Sequence, residues 1–162
     1  MRLDVTDRAI LTALQDNARP TNAELADRVH LSASACLRRT RLLEESGLIA
    51  RIVALLDPRI AGIPGTAYVS VTLDSQGRAS LDKFELAVRT IPEITECYLL
   101  AGQHDYLLRV VVPDIEAYDA FYKRLITKIE ISDVSSAFAM EQIKFTTELP
   151  LAYIQLDKEK PL

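Results

Sequence analysis

Two helix starts and a helix stop fall within one short stretch, Thr21 to Ile49 (TNAELADRVHLSASACLRRTRLLEESGLI). Few local patterns restrict a chain more. Thr21, followed three residues on by Glu24, forms a capping box in which each side chain satisfies an orphaned backbone donor. Leu25, Ala26 and Val29 then share one apolar face of the helix that follows. A second helix opens at Ser32, a good N-cap with Leu31 just before it, and stops at Gly47, a natural left-handed terminus. On its helical wheel Cys36, Thr40 and Leu43 fall together, while Ser34, Arg38 and Arg41 fall on the opposite side. A helix that shows small hydroxyls and arginines outward, braced from behind by another helix, suits the DNA major groove. The pattern is a helix-turn-helix, with Thr21, Asn22, Ser32, Ser34, Arg38, Arg39 and Arg41 as candidate contacts to double-stranded DNA.

Charge agrees only when counted locally. The chain as a whole is acidic, with a formal net charge of −4, which taken alone argues against nucleic acid. Between Asp27 and Glu44, however, there is no carboxylate, while Arg28, Arg38, Arg39 and Arg41 are all present. Arginine is the side chain suited to bidentate contact with guanine edges and phosphates. The expected roles are base edges for Ser34, Arg38 and Arg41, and phosphate for Arg39.

At 162 residues and 49% hydrophobic, the chain is long enough for one ordinary domain or two small ones. A first helix is expected from about Asp4 to Ala18, with Ile10, Leu11 and Leu14 as its core stripe. From Leu48 to Leu56 the chain reads as extended and apolar, either a wing on the DNA backbone or a strand that pairs with a partner subunit. Asp57-Pro58 and the run Gly62 to Gly65 mark a break. The expected division is a helix-turn-helix domain over 1–50, a connecting strand and linker over 51–65, and a second domain over 66–162.

Within that second domain one arrangement occurs twice. Strands are expected over Thr66–Leu73, Thr95–Ala101, Tyr106–Val112 and Val134–Phe145, with helices over Leu81–Thr90 and Asp114–Ile129. Strand-helix-strand, twice over, is the ferredoxin-like βαββαβ arrangement. The fold class is therefore α+β, a winged-helix-like helix-turn-helix followed by a ferredoxin-like sandwich. Cys97 to Ala101, and Leu107, Leu108, Val110 and Val111, are apolar without alternation, as strands covered on both faces are. Two helices cover one face, so a second copy of the chain is the simplest cover for the other. A homodimer also supplies two half-site contacts.

Other functions find little support. No apolar run approaches a membrane span, no signal peptide precedes Asp4, and the expected setting is the cytoplasm. Cys36 and Cys97 are isolated and read as buried thiols rather than a disulfide or metal site. With His30 and His104 as the two histidines, no metal or other cofactor is expected. His104-Asp105 has no nucleophile beside it and no phosphate-binding glycine loop is present, so the chain does not read as an enzyme. An effector-independent architectural DNA-binding protein is the alternative to a ligand-responsive regulator.

The segments LDVTDRAIL, ELADRVHLS with Arg39, LLEESGLI, AGQHDYLLRVVVPDIEAYDAFY and MEQIKFTTELPL together resemble the leucine-responsive/asparagine-regulator (Lrp/AsnC, feast-famine) family of transcriptional regulators. The resemblance covers nearly the whole chain. It implies DNA binding by the first domain, dimerisation and assembly to a tetramer or octamer through the second, and a small effector, usually an amino acid, held there. It also implies an effector site at Gly102, Gln103, His104, Asp105 and Tyr106. Ser135 and Ser136, near the start of the last strand, are polar where a neighbouring dimer's loop would meet them. The alternatives are that Asp105 caps the loop, Tyr106 lies in the core and the two serines face solvent. A zwitterion needs backbone N–H donors for its carboxylate and an acceptor for its ammonium, the part expected of Asp105. Three departures from the family pattern stand out: His30 where glycine is usual, Thr40 where an aliphatic residue is usual, and Glu130 to Val134 in place of Pro-Gly-Val. His30 implies either a left-handed histidine or an altered turn.

Overall fold

The computed structural model describes residues 3–75 and 77–156. The chain forms two compact units, one of residues 1–54 with 144–162 and one of residues 55–143. No helix among the described residues is long and apolar enough to cross a membrane.

The first unit holds helices α1 (Val5–Asp16), α2 (Asn22–Arg28) and α3 (Ala33–Glu45). Each starts where a local cap dictates. Asp4 accepts the Asp7 N–H at 2.8 Å while the Asp7 carboxylate accepts the Asp4 N–H at 3.1 Å. Thr21 and Glu24 make the same reciprocal exchange at the start of α2. Ser32 accepts from the Ala35 N–H at 3.3 Å at the start of α3. Gly47, at φ +77°, ends α3 as expected, donating its N–H to the Glu44 carbonyl. His30 between α2 and α3 adopts φ +56°, the left-handed alternative anticipated for it. Ile10, Leu11, Ala13, Leu25, Ala26, Cys36 and Leu43 form the core.

The C-terminal stretch belongs to this unit, which corrects the expected extent 66–162 of the second domain. Leu151 and Ile154 pack on the helical core, and Leu3 bridges to Leu156. The Gln15 side-chain amide donates to the Leu149 carbonyl and accepts the Leu149 N–H, at 3.1 and 2.7 Å, as a neighbouring strand would. The stretch expected to be extended over Leu48 to Leu56 pairs with no strand of the described residues: residues 50–57 carry no secondary structure, and Ile52, Val53, Leu55 and Leu56 are exposed. A strand needs a hydrogen-bonding neighbour, and none of the described residues supplies one.

The second unit comprises β1 (Gly65–Leu73), α4 (Arg78–Arg89), β2 (Ile94–Leu99), β3 (Tyr106–Val112), α5 (Ile115–Lys128) and β4 (Ile131–Phe138). The sheet order is β2-β3-β1-β4 and every pairing is antiparallel. This is the expected βαββαβ topology. Gly65 is needed where β1 begins, since a Cβ there would lie 2.7 Å from the Val112 carbonyl oxygen. Asp114 caps α5 by accepting the Ala117 N–H at 2.8 Å. Val69, Val71, Leu108 and Val110 meet Phe84, Phe121 and Leu125 in a core on one side of the sheet.

Two expectations change here. The last strand stops at Phe138 rather than Phe145, because its partner β1 begins at Gly65 and the Ala139 N–H takes the Thr66 carbonyl as the last rung. In the single chain β3 alternates in burial, and Tyr68 and Tyr98 lie 42% and 54% exposed on the face for which a second copy is the expected cover. Cys97, expected to be buried, is exposed because β2 lies at the sheet edge, whereas Cys36 is buried as expected.

Candidate nucleic-acid interface and effector loop

Helix α3 is seated by Cys36 and Leu43, both 0% exposed, with Thr40 partly buried between them. A seat on that face turns the opposite one outward, and Ser34, Leu37, Arg38 and Arg41 are exposed. Among the described residues neither Arg38 nor Arg41 makes an ion pair, so both guanidinium groups remain available to an incoming anion. Arg28, by contrast, meets Asp16 at 2.6 Å.

The remaining candidates on this unit are engaged internally. Thr21 and Ser32 are helix caps, and Ser34 Oγ lies 3.3 Å from Ser32 Oγ. Asn22 Nδ2 donates to the Ala33 carbonyl at 2.8 Å and so ties α2 to the start of α3. Arg39, expected at phosphate, turns toward α1 instead: its Nη1 lies 2.8 Å from Asp4 Oδ2 and 2.7 Å from Asp7 Oδ1. Its physical reason is position, since Arg39 lies 100° around the helix from Arg38, on the flank that faces the first turn of α1. The Asp7 hydrogen bond, followed by that to Asp4, outweighs desolvation and raises the Arg39 pKa above the usual value. Burial pushes the Asp4 carboxyl up, but the Asp7 N–H and Arg39 outweigh it and hold the pKa below the ordinary carboxylate value.

Two features escaped the wheel. Leu37, 39% exposed, sits one turn from both Ser34 and Arg41, a spacing that the sequence displays. The acidic cradle of Arg39 was signalled only by Asp4 and Asp7 three residues apart.

The loop joining β2 to β3 is anchored from within. Gly102 and Gln103 are exposed. His104 Nδ1 lies 3.1 Å from Thr72 Oγ1. Asp105 accepts the Leu73 N–H at 2.8 Å through its carboxylate, while its backbone bonds Val71 and Leu100. Tyr106 is 1% exposed and stacks on Phe84 at 4.2 Å between ring centroids, which removes its ring from any surface site. Burial, with Glu85 nearby, pushes its hydroxyl pKa up to about 12. Thus Asp105 and Tyr106 build the loop rather than offering free side chains. Ser135 and Ser136 point to opposite faces of β4: Ser135 sits opposite Ser70 on the open face, and Ser136 hydrogen-bonds Tyr118 of α5. Thr72, which the sequence did not single out, touches the loop through His104 and joins it to the segment that departs from the family pattern, since Thr72 pairs with Asp133 and Ser132 Oγ donates to the Thr72 carbonyl at 3.1 Å. No group of three or more His, Cys, Asp or Glu side chains among the described residues is arranged to hold a metal.

Comparison with known proteins matches both units. The family model of the Lrp/AsnC ligand binding domain matches residues 66–149, and that of a winged helix-turn-helix DNA-binding domain matches residues 3–50. The chain is 44% identical over 150 residues to the glutamate uptake regulatory protein of Zymomonas mobilis, covering 93% of this chain and 92% of that one. It is 41% identical to the DNA-binding transcriptional activator DecR of Escherichia coli, covering 92% and 99%. The crystal structure of an AsnC family transcriptional regulator from Agrobacterium tumefaciens superposes with a TM-score of 0.92 at 54% identity, over 94% of this chain and 100% of that one. A Neisseria meningitidis transcriptional regulator in complex with L-Met superposes with a TM-score of 0.90 at 38% identity, over 94% and 99%. With the Lrp/AsnC ligand binding domain matched over half of the chain, a winged helix-turn-helix matched before it, and relatives that align over almost their full length, the chain belongs to the Lrp/AsnC family of DNA-binding transcriptional regulators.

Proposed function

We propose that this regulator works as a dimer or larger homo-oligomer that sets recognition helices into successive major grooves and responds to an amino acid bound by its sheet unit. The observation that carries the DNA half is the outward face of α3, where Arg38 and Arg41, with no carboxylate partner among the described residues, stand exposed beside Ser34 and Leu37. Arg38 and Arg41 read base edges as bidentate donors, and Leu37 supplies apolar contact of the kind a thymine methyl accepts. Thr21, Asn22 and Ser32 hold the helix starts close to the backbone. A second copy covers the open face of the sheet, where Ser135, Ser70, Leu107 and Tyr98 form one cross-strand row. Two-fold pairing spaces the recognition helices one DNA turn apart, about 34 Å.

For the effector, the L-Met complex of the Neisseria relative supports an amino acid. Gly102, Gln103 and His104 meet it from the loop and Ser135 from the open sheet face, while Asp105 and Tyr106 keep the loop in shape. The ligand shifts assembly or DNA affinity by binding one arrangement better than the other. An effector-independent architectural protein is the alternative, and amino-acid titration separates the two. The DNA half is tested by fluorescence-anisotropy titration of Arg38→Ala and Arg41→Ala on the chain's own upstream DNA. Each should cost about 1–3 kcal/mol and relax sequence preference. Unchanged binding by both variants would remove α3's outward face from the interface.

A further inference from the structure

Four carboxylate oxygens and one guanidinium nitrogen are joined in a single closed arrangement at the contact of α1 with α3. Asp4 uses Oδ1 to accept the Asp7 N–H and Oδ2 to meet Arg39 Nη1. Asp7 uses Oδ2 to accept the Asp4 N–H and Oδ1 to meet the same Nη1. Each carboxylate therefore has one oxygen in the helix cap and one on the arginine. The same bonds that form the cap fix both acids where they meet the guanidinium. Asp7 is 5% exposed, and a buried carboxylate that lost its cation would be left with an uncompensated charge.

The consequence for recognition follows from helix geometry. Arg39 adjoins Arg38, and a helix advances 100° per residue, so fixing the direction of Arg39 fixes the direction of Arg38 and Arg41. Two carboxylates also cancel the charge of Arg39 locally, which leaves it little to offer a phosphate. We propose that Arg39 is a positioning residue: gripped by Asp4 and Asp7, it sets the rotation of the recognition helix instead of touching DNA. This rests on the recognition reading given above for Arg38 and Arg41.

Asn substitutions separate the two roles, because Asp4→Asn or Asp7→Asn leaves an oxygen to keep the cap while removing the charge that holds Arg39. Full-length wild type, Arg39→Gln, Arg39→Lys, Asp4→Asn and the Asp4→Asn/Arg39→Gln double variant are titrated on specific and scrambled DNA across a salt series. Asp4→Asn and Arg39→Gln should each lower specific affinity by about tenfold, and the double variant should be no worse than either, as for groups acting through one contact. Binding to scrambled DNA should hold, the salt slope should not change, and Arg39→Lys should recover part of the loss.

A phosphate contact predicts the reverse: a salt slope lowered by about 0.9 per arginine lost, specific and scrambled DNA weakened alike, and tighter binding when Asp4→Asn frees Arg39. Any of those three results, or unchanged binding by Asp4→Asn, overturns the proposal. Should Arg39→Gln not fold, Asp4→Asn and Arg39→Lys decide it alone. Failure of the recognition reading shows up separately, as wild type that does not prefer its own DNA or as Arg38→Ala that binds like wild type.

Discussion

The two units dispose of their polar side chains in opposite ways. On the helical unit, Arg38 and Arg41 face outward with no ion-pair partner among the described residues, while Arg39 is gripped by two carboxylates. On the sheet unit, the loop that the family resemblance marks for a ligand is tied down: Asp105 bonds the Leu73 N–H, His104 meets Thr72, and Tyr106 lies in the core. A DNA-reading face needs donors left free for an anion. A ligand loop first has to hold its own shape, so its charged residue can belong to the scaffold. Residue type alone does not tell these uses apart; the partner does.

The sharpest way to break the contrast is to truncate both kinds of residue and measure stability. Asp105→Ala should cost about 1–3 kcal/mol in chemical denaturation, because it strands the Leu73 N–H. Arg38→Ala should change stability by less than about 0.5 kcal/mol, as an exposed substitution away from special features does. Equal effects would erase the distinction.

Alkaline unfolding probes the sheet unit next. The Tyr106 hydroxyl, raised by burial to about 12, is held neutral in the folded chain. Its contribution is therefore fully present below the usual tyrosine value near 10 and lost as pH rises from there through about 12. Tyr106→Phe should flatten the stability profile in that window, and a profile unchanged from wild type would place the ring in water.

Two smaller tests concern the helical unit's own departures from family usage. The Thr40 Oγ1 is buried without a hydrogen-bond partner. Thr40→Val keeps the shape and removes the stranded hydroxyl, so thermal unfolding should show a gain of about 1 kcal/mol. A loss would mean that the hydroxyl is satisfied. His30, at φ +56°, should give way to glycine with a gain of up to about 1 kcal/mol, the steric cost of a Cβ in that region less glycine's extra chain entropy.

What the sequence made legible was local. The caps at Thr21, Ser32 and Asp114 and the stop at Gly47 are written within four residues of where they act, and all appear in the structure. The apolar stripes of α1, α2 and α3 follow from helical spacing in the same way. What stayed hidden was set by distant partners. The final strand ends where β1 runs out, far earlier in the chain. Leu151 and Ile154 find their cover on the helical core through a contact that no local pattern announces. The bond from Asp105 to the Leu73 N–H and the grip of Asp4 and Asp7 on Arg39 likewise join residues far apart in the chain.

The most direct test of a DNA-binding regulator governed by an amino acid is a gel-shift titration on the chain's own upstream DNA. It is run against scrambled DNA, with and without pooled amino acids, near physiological salt. Preference for the specific sequence, with a midpoint or band pattern changed by one pool, is the predicted result. Specific binding that no pool alters would contradict effector control and leave an architectural role, and equal binding to both DNAs would contradict sequence recognition by α3.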